Sequence, residues 1–187
     1  MSRYDGENSF LAKLRSTTPN YSGMISTLQT VNKPVSGIGR QGGIFDFGDD
    51  GWLTVSNATH IDPPLFWFRR LNVDNPKPYY EIRLYDKSGR LNRAVDISTR
   101  HYLALYSNSA NTSRPLWTLS QIIDRQQRYD NISIREKNAE KPIQADSRNT
   151  RFDSWSSYLV NYGGKTELQF ELDIVRYGDT TPDANRD

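Results

Sequence analysis

Wherever this chain is strongly patterned, hydrophobic residues recur at every second position. The clearest stretch is 168–175, where Leu168, Phe170, Leu172 and Ile174 alternate with Gln169, Glu171, Asp173 and Val175. A period of two marks a strand with one buried face. The turn-forming run Asn161-Tyr162-Gly163-Gly164-Lys165 stands before it, so residues 156–160 are expected to pair with it. A second alternation covers 79–86, with Tyr79, Glu81, Arg83 and Tyr85 set against Tyr80, Ile82 and Leu84. The turn at 86–90 then leads into 91–98, which reads as a hairpin, and 101–106 adds a further strand. A third pair, 43–47 and 52–56, flanks Gly48-Asp49-Asp50-Gly51 and also reads as a hairpin. Pro63, Pro64, Pro76 and Pro78 fix an extended connection between these units.

Helical spacing is rarer. Phe10, Leu11 and Leu14 predict one short helix over 8–14. The segment 116–127 fits either form: Leu116, Leu119, Ile122 and Ile123 suit a helix after Pro115, and Trp117, Leu119, Gln121 and Ile123 suit a strand, which is preferred. From 125 to 151 the pattern fades. The only apolar anchors of note are Tyr129, Ile132, Ile134 and Ile143, and a loop of this length is expected to be functional or disordered. It carries Arg125, Arg128, Arg135, Lys137, Lys141, Arg148 and Arg151, which reads either as a solvated excursion or as an arm that pairs with a neighbouring subunit. The expectation is a mainly β protein, a β-sandwich or barrel-like sheet with one or two short helices and a long polar loop. Residues 1–178 form the single domain and 179–187 a disordered tail.

Composition narrows the class. A chain of 187 residues suits one domain, and with no cysteine it has neither disulfides nor thiolate metal ligands. Twenty-four basic residues face 22 acidic ones in interleaved order, so no basic stripe for nucleic acid stands out. The longest apolar run, 65–68, is far too short to span a bilayer, and residues 1–10 show no leader-like apolar segment. Cytoplasmic residence is the default expectation. Only 35% of residues are hydrophobic, while eleven tyrosines and four tryptophans supply the aromatic area typical of sheets and interfaces.

Catalytic chemistry has little to build on. Gly37-Ile38-Gly39-Arg40-Gln41-Gly42 matches a dinucleotide-binding pattern in letters, but that chemistry needs a strand-to-helix turn, and Lys33-Pro34 and a hairpin flank this one. His60 and His101 are the only histidines. His60 lies beside Asp62, ahead of a proline pair that reads as a turn. Asp46, Asp49 and Asp50 crowd another turn, where aspartate is a turn former. No nucleophile elbow is present. The expectation is a non-enzyme without metal or cofactor. Four Asn-x-Ser/Thr triplets begin at Asn20, Asn57, Asn111 and Asn131, where about two are expected by chance in a chain so rich in Asn, Ser and Thr, and without a signal peptide none is read as glycosylated. For binding, Phe66-Trp67-Phe68 with Tyr79 and Tyr80, beside Arg69 and Arg70, is the leading aromatic cluster. Trp67, Tyr79 and Tyr80 are its candidate contact surface.

The stretch from Lys165 to Asp179, KTELQFELDIVRYGD, resembles the closing strand of tail-tube, tube-initiator and tail-completion proteins of long-tailed bacteriophages. That strand follows a glycine turn, alternates apolar and acidic residues and ends near an Arg-Tyr-Gly. LWTLSQII at 116–123 is similar to the strand those proteins place before it. Here the two are separated by the long 125–160 stretch. The resemblance implies a β-sandwich that joins its neighbours into a closed ring, a virion component assembled in the host cytoplasm, with no enzymatic activity and no cofactor. A structural tail-tube or baseplate protein, homo-oligomeric and in contact with other structural proteins, is therefore the expected function. The alternative is a carbohydrate- or other ligand-binding β-sandwich.

Overall fold

The structure, a computed structural model, describes residues 3–31, 44–46, 51–57, 63–85, 93–106, 114–149 and 156–178. Among them are fifteen strands and no helix. They are β1 (Phe10–Ser16), β2 (Gly23–Val31), β3 (Ile44–Asp46), β4 (Trp52–Ser56), β5 (Phe66–Arg70), β6 (Tyr80–Leu84), β7 (Ala94–Ile97), β8 (Leu103–Tyr106), β9 (Trp117–Leu119), β10 (Arg128–Ile132), β11 (Ile134–Glu136), β12 (Gln144–Asn149), β13 (Ser156–Val160), β14 (Thr166–Glu167) and β15 (Phe170–Tyr177). No helix long and apolar enough to cross a membrane occurs among the described residues.

Seven strands close a barrel in the order β1, β5, β6, β7, β8, β4, β2 and back to β1, each pair antiparallel. An odd ring of antiparallel neighbours can close only if one strand departs from simple alternation, and β1 does so. β15 runs along one edge of β1 for its whole length. On the other edge residues 10–12 meet β5, while Arg15 and Ser16 meet β2. Two more strands fork the same way. β4 holds β2 on one edge and shares the other between β8 and β13; β6 holds β5 and shares its other edge between β7 and β9. The forks send three flaps off the barrel: β15 with β10, β13 with β12 and β14, and β9 with β11.

One contiguous core results. Phe10, Ala12 and Leu14, Phe66 and Phe68, Tyr80 and Ile82, and Leu168, Phe170, Leu172 and Ile174 all enter it, each set on alternate positions. Phe10 stacks on Phe68 at 4.7 Å between ring centres, and Tyr80 meets both edge-on, at 5.6 Å from Phe10 and 6.2 Å from Phe68. Burial, the largest effect on it, pushes the Tyr80 phenol up to about 12.

The expected inward face of the last strand is present, as are the hairpin of β6 with β7, the strand β8 beside it and the turn before β14, where Gly163 takes a positive φ of 77°. Four expectations need correction. Residues 8–14 form no helix; β1 is a strand buried on both faces, because Leu11 lies opposite Trp67 on the far side from Phe10 and Ala12. A two-faced strand loses its period of two and mimics helical spacing. β3 and β4 do not form a hairpin. Both pair antiparallel with β2 and so run the same way, Asp46 beside Gln29 and Trp52 beside Leu28. β13 does not pair with β15; it lies between β4 and β12.

The fourth concerns the long polar loop at 125–151. Residues up to 149 instead carry β10, β11 and β12, and all four of the apolar anchors, Tyr129, Ile132, Ile134 and Ile143, are buried. A register shift between Tyr129 and Ile132, with Asn131 at φ 58°, breaks the alternation that would have revealed β10. The glycine run 37–42, His60 and the tail 179–187 lie outside the described residues.

The junction of β1, β2 and β4 leaves no room for a side chain at Gly23, where a Cβ would collide with the Ser56 carbonyl. Gly23→Ala is expected to lower stability by about 1–3 kcal/mol, the usual cost of overpacking. Urea unfolding checks it; an unchanged midpoint would mean that the two strands can part without cost.

Candidate functional site

The barrel interior is not a pocket. The space among Leu14, Ile25, Phe66, Ile82, Leu159 and Phe170 is about 10 Å³, room for one water at most. Any ligand or partner chemistry of the described residues therefore lies outside the barrel.

On the outer face of β5 and β6, four residues are buried: Trp67, Arg69, Glu81 and Arg83. Cross-strand register sets Trp67 opposite Arg83 and Arg69 opposite Glu81, which places all four on one surface. Tyr4 and Arg114 come over them from other parts of the chain. The Tyr4 hydroxyl and Arg83 Nε both donate to the Glu81 carboxylate, and Arg114 Nη1 donates to it at 3.0 Å. The Arg69 guanidinium lies 3.6 Å from the Tyr4 ring centre and 4.5 Å from that of Trp67. Burial by itself would raise the Glu81 carboxyl, but the Arg83 charge, the hydrogen bonds from Tyr4 and Arg83, and the charge of Arg69 outweigh it and hold it below the usual range. Burial, then the bond to Glu81 and its charge, push the Tyr4 phenol up. A carboxylate so completely engaged has no proton to exchange near neutral pH, so it is a structural anchor and a poor general acid or base.

Two surface features remain. A groove of about 430 Å³ is lined by Asp96, Arg114, Leu116, Glu136, Lys137 and Asn138. Next to it, the outer surface of β4, β8 and β13 is aromatic: Trp52 meets Tyr102 edge-on at 5.6 Å, and Tyr102 meets Tyr158 at 5.8 Å. Trp52 and Tyr106 are exposed large hydrophobic side chains of this surface.

Comparison with known proteins finds no match. No family model fits the chain, and no curated protein or solved structure is similar to it.

The structure separates the candidate residues read from the sequence. Trp67 and Tyr80 are both buried and face opposite sides of the β5–β6 ladder, Trp67 over Arg69 and Tyr80 in the core, so they cannot share one surface. Tyr79 is half-buried beneath Lys137, whose Nζ lies 4.4 Å from its ring centre. The described basic side chains of 125–151 contact other residues of the same chain. Arg125 covers the Tyr177 ring at 5.2 Å, Arg128 pairs with Glu171 at 2.5 Å and Asp130 at 3.2 Å, Arg135 with Glu167 at 2.7 Å, and Lys141 covers Tyr162 at 3.9 Å. The Arg148 side chain and Arg151 lie outside what is described. His101 is exposed on a turn at φ 67° against Tyr162, and no group of three metal-ligating side chains occurs among the described residues. Trp52 and Tyr106 were overlooked in the sequence. The signal was parity: with Leu53, Val55, Leu103 and Leu105 inside, Trp52 and Tyr106 must point out.

Proposed function

We propose that the protein is a structural subunit of a homo-oligomeric assembly, a tail-tube or baseplate-like component of a phage virion, without catalytic activity. The observation that carries this reading is the pair of unlike edge strands at the two ends of the strand path among the described residues; β3 and β11, off that path, also pair with one strand each. β10 pairs only with β15, and β14 only with β12, among the described residues. Two different edges suit a head-to-tail contact, and head-to-tail contacts that close make rings. The bulge in β10 and the charges of Arg128 and Asp130 are devices that keep such an edge from pairing indiscriminately while fixing the register of a proper partner. The filled barrel and the fully engaged Glu81 cluster agree with a protein that works through surfaces. The resemblance of the last strand to tail proteins supplies the finer identity.

Because the chain has no cysteine, engineered thiols give a clean test. Asp130→Cys on β10 combined with Thr166→Cys on β14 is expected, on oxidation, to give a ladder of covalent oligomers that neither single variant gives. A double variant that remains monomeric on a denaturing gel would reject edge-to-edge assembly.

A further inference from the structure

The aromatic surface of β4 and β8 has a chemistry of its own. Asp96 of β7 pairs with Ala104 of β8, and Ala104 pairs with Trp52 of β4, so these three project from one face on adjacent strands. Tyr102 and Tyr106 stand two residues either side of Ala104 and share that face. Ala104, with a single side-chain carbon, stands between Trp52 and Asp96 on that face, with Tyr106 two residues along its own strand. Trp52 is 40% and Tyr106 41% exposed, although each is large and apolar. The surroundings are held in place. Trp52 rests edge-on against Tyr102, whose hydroxyl donates to Asp146 Oδ2 at 3.0 Å, and the Asp96 Oδ1 accepts the Ile97 N–H at 2.6 Å. Asp96 also lines the adjoining groove, whose volume of about 430 Å³ falls in the range of small-ligand sites. Asp96 therefore belongs both to this face and to the lining of the groove.

Stacking surfaces beside fixed carboxylates suit one ligand class in particular. An aromatic face attracts the apolar C–H face of a sugar ring, and a carboxylate accepts hydrogen bonds from the ring's hydroxyls more strongly than a neutral group does. Beside the rings the charged group is the Asp96 carboxylate, which would repel an acidic sugar or a phosphate, and within the groove Arg114 and Lys137 are balanced by Asp96 and Glu136. We propose that this face binds a neutral oligosaccharide, its rings stacked on Trp52 and Tyr106 and its hydroxyls directed to Asp96 and, within the groove, to Asn138. This site does not depend on assembly, and the two can fail separately.

The test titrates the intact protein separately with cellohexaose, maltohexaose, xylohexaose and chitohexaose, with a hexamer of galacturonic acid as the acidic control. Calorimetry and tryptophan fluorescence report binding. At least one neutral hexaose is expected to bind saturably and quench Trp52. Trp52→Ala and Tyr106→Ala should each weaken it about tenfold, while Trp52→Phe, which keeps a stacking ring, should recover part of the loss. Unfolding midpoints of the variants, read in parallel, keep a folding defect apart from a binding defect, and Tyr106→Ala at the end of β8 serves if Trp52→Ala fails to fold. The proposal is overturned if no neutral hexaose binds at millimolar concentration, if binding survives both alanine variants, or if only the acidic hexamer binds. It is overturned too if the variants change oligomeric state without changing binding, since the face would then belong to a second copy.

Discussion

Glu81→Ala is expected to destabilise the protein by about 3–5 kcal/mol, the cost of removing one member of a buried ion-pair network and leaving its partners. Glu81 is 3% exposed and gathers Tyr4, Arg83 and Arg114 onto one carboxylate. Without it Arg83 and Arg114 lose the charge they share, and the Tyr4 hydroxyl loses its acceptor. The N-terminal segment would loosen as well, because Tyr4 bridges to Leu71 and Asp5 donates its N–H to the Arg70 carbonyl at 2.9 Å. Chemical unfolding should show the loss, and Arg83→Ala added to Glu81→Ala should restore part of it, since fewer charges are then stranded. A cost under about 1 kcal/mol would mean that the cluster is hydrated and of little structural weight. The carboxyl also imposes a pH dependence with a definite sign. Its folded value is depressed, so its contribution is complete above the unfolded value of about 4.3. It is lost as pH falls from there through the folded value. Glu81→Gln should flatten that acid limb.

Phe170→Ala should cost a similar amount, about 3–5 kcal/mol, for a different reason. Phe170 is 1% exposed and stands where β15 is held between β1 and β10, opposite Ser16 on one side and Ile132 on the other. It borders the small void at the centre of the barrel. Removing the ring would enlarge that void where three strands already constrain collapse. Phe170→Leu, which refills most of the volume, should recover the larger part. A loss below about 1 kcal/mol on Phe170→Ala would mean that β15 presents its other face to the core.

The strands that could be read from the chain are those whose apolar and polar residues alternate. β15 and β6 both follow the period of two in sequence, although the polar side of β6, Glu81 and Arg83, is buried as well as its apolar side. The strands that could not be read are those whose residues do not alternate in the sequence. β1 is covered on both faces, by the core and by Trp67, so its run of Phe10, Leu11, Ala12 and Leu14 has the look of a helix. β10 is bulged at Asn131, and β11 and β12 are short or polar, held by one or two core residues each: Ile134 in β11, Ala145 in β12, with Ile143 between. Few apolar residues were enough, because each forked flap lays its strands onto a barrel that already has a core. Excising 131–149 would accordingly remove Ile132, Ile134, Ile143 and Ala145 and should unfold the protein.

The candidate sites follow the same logic. Period-two alternation sets Glu81 and Arg83 on the face opposite Tyr80 and Ile82, but it cannot show that this face too is covered. What covers them, Tyr4 and Arg114, is 77 and 33 residues away in sequence. Trp67 and Tyr80 looked like neighbours because their strands pair, but a cross-strand platform needs matching parity, and Trp67 pairs with Arg83 while Tyr80 pairs with Arg70. Trp52 and Tyr106 do have matching parity through Ala104, a relation visible only once the register of β4 and β8 is fixed.

The most direct test of the assembly reading is the mass of the native protein across a wide concentration range, by native mass spectrometry together with sedimentation. The account predicts species that grow with concentration from the 21.5 kDa chain to a closed ring of fixed number, visible as rings in electron micrographs. A single 21.5 kDa species at every concentration, with no rings, would contradict it.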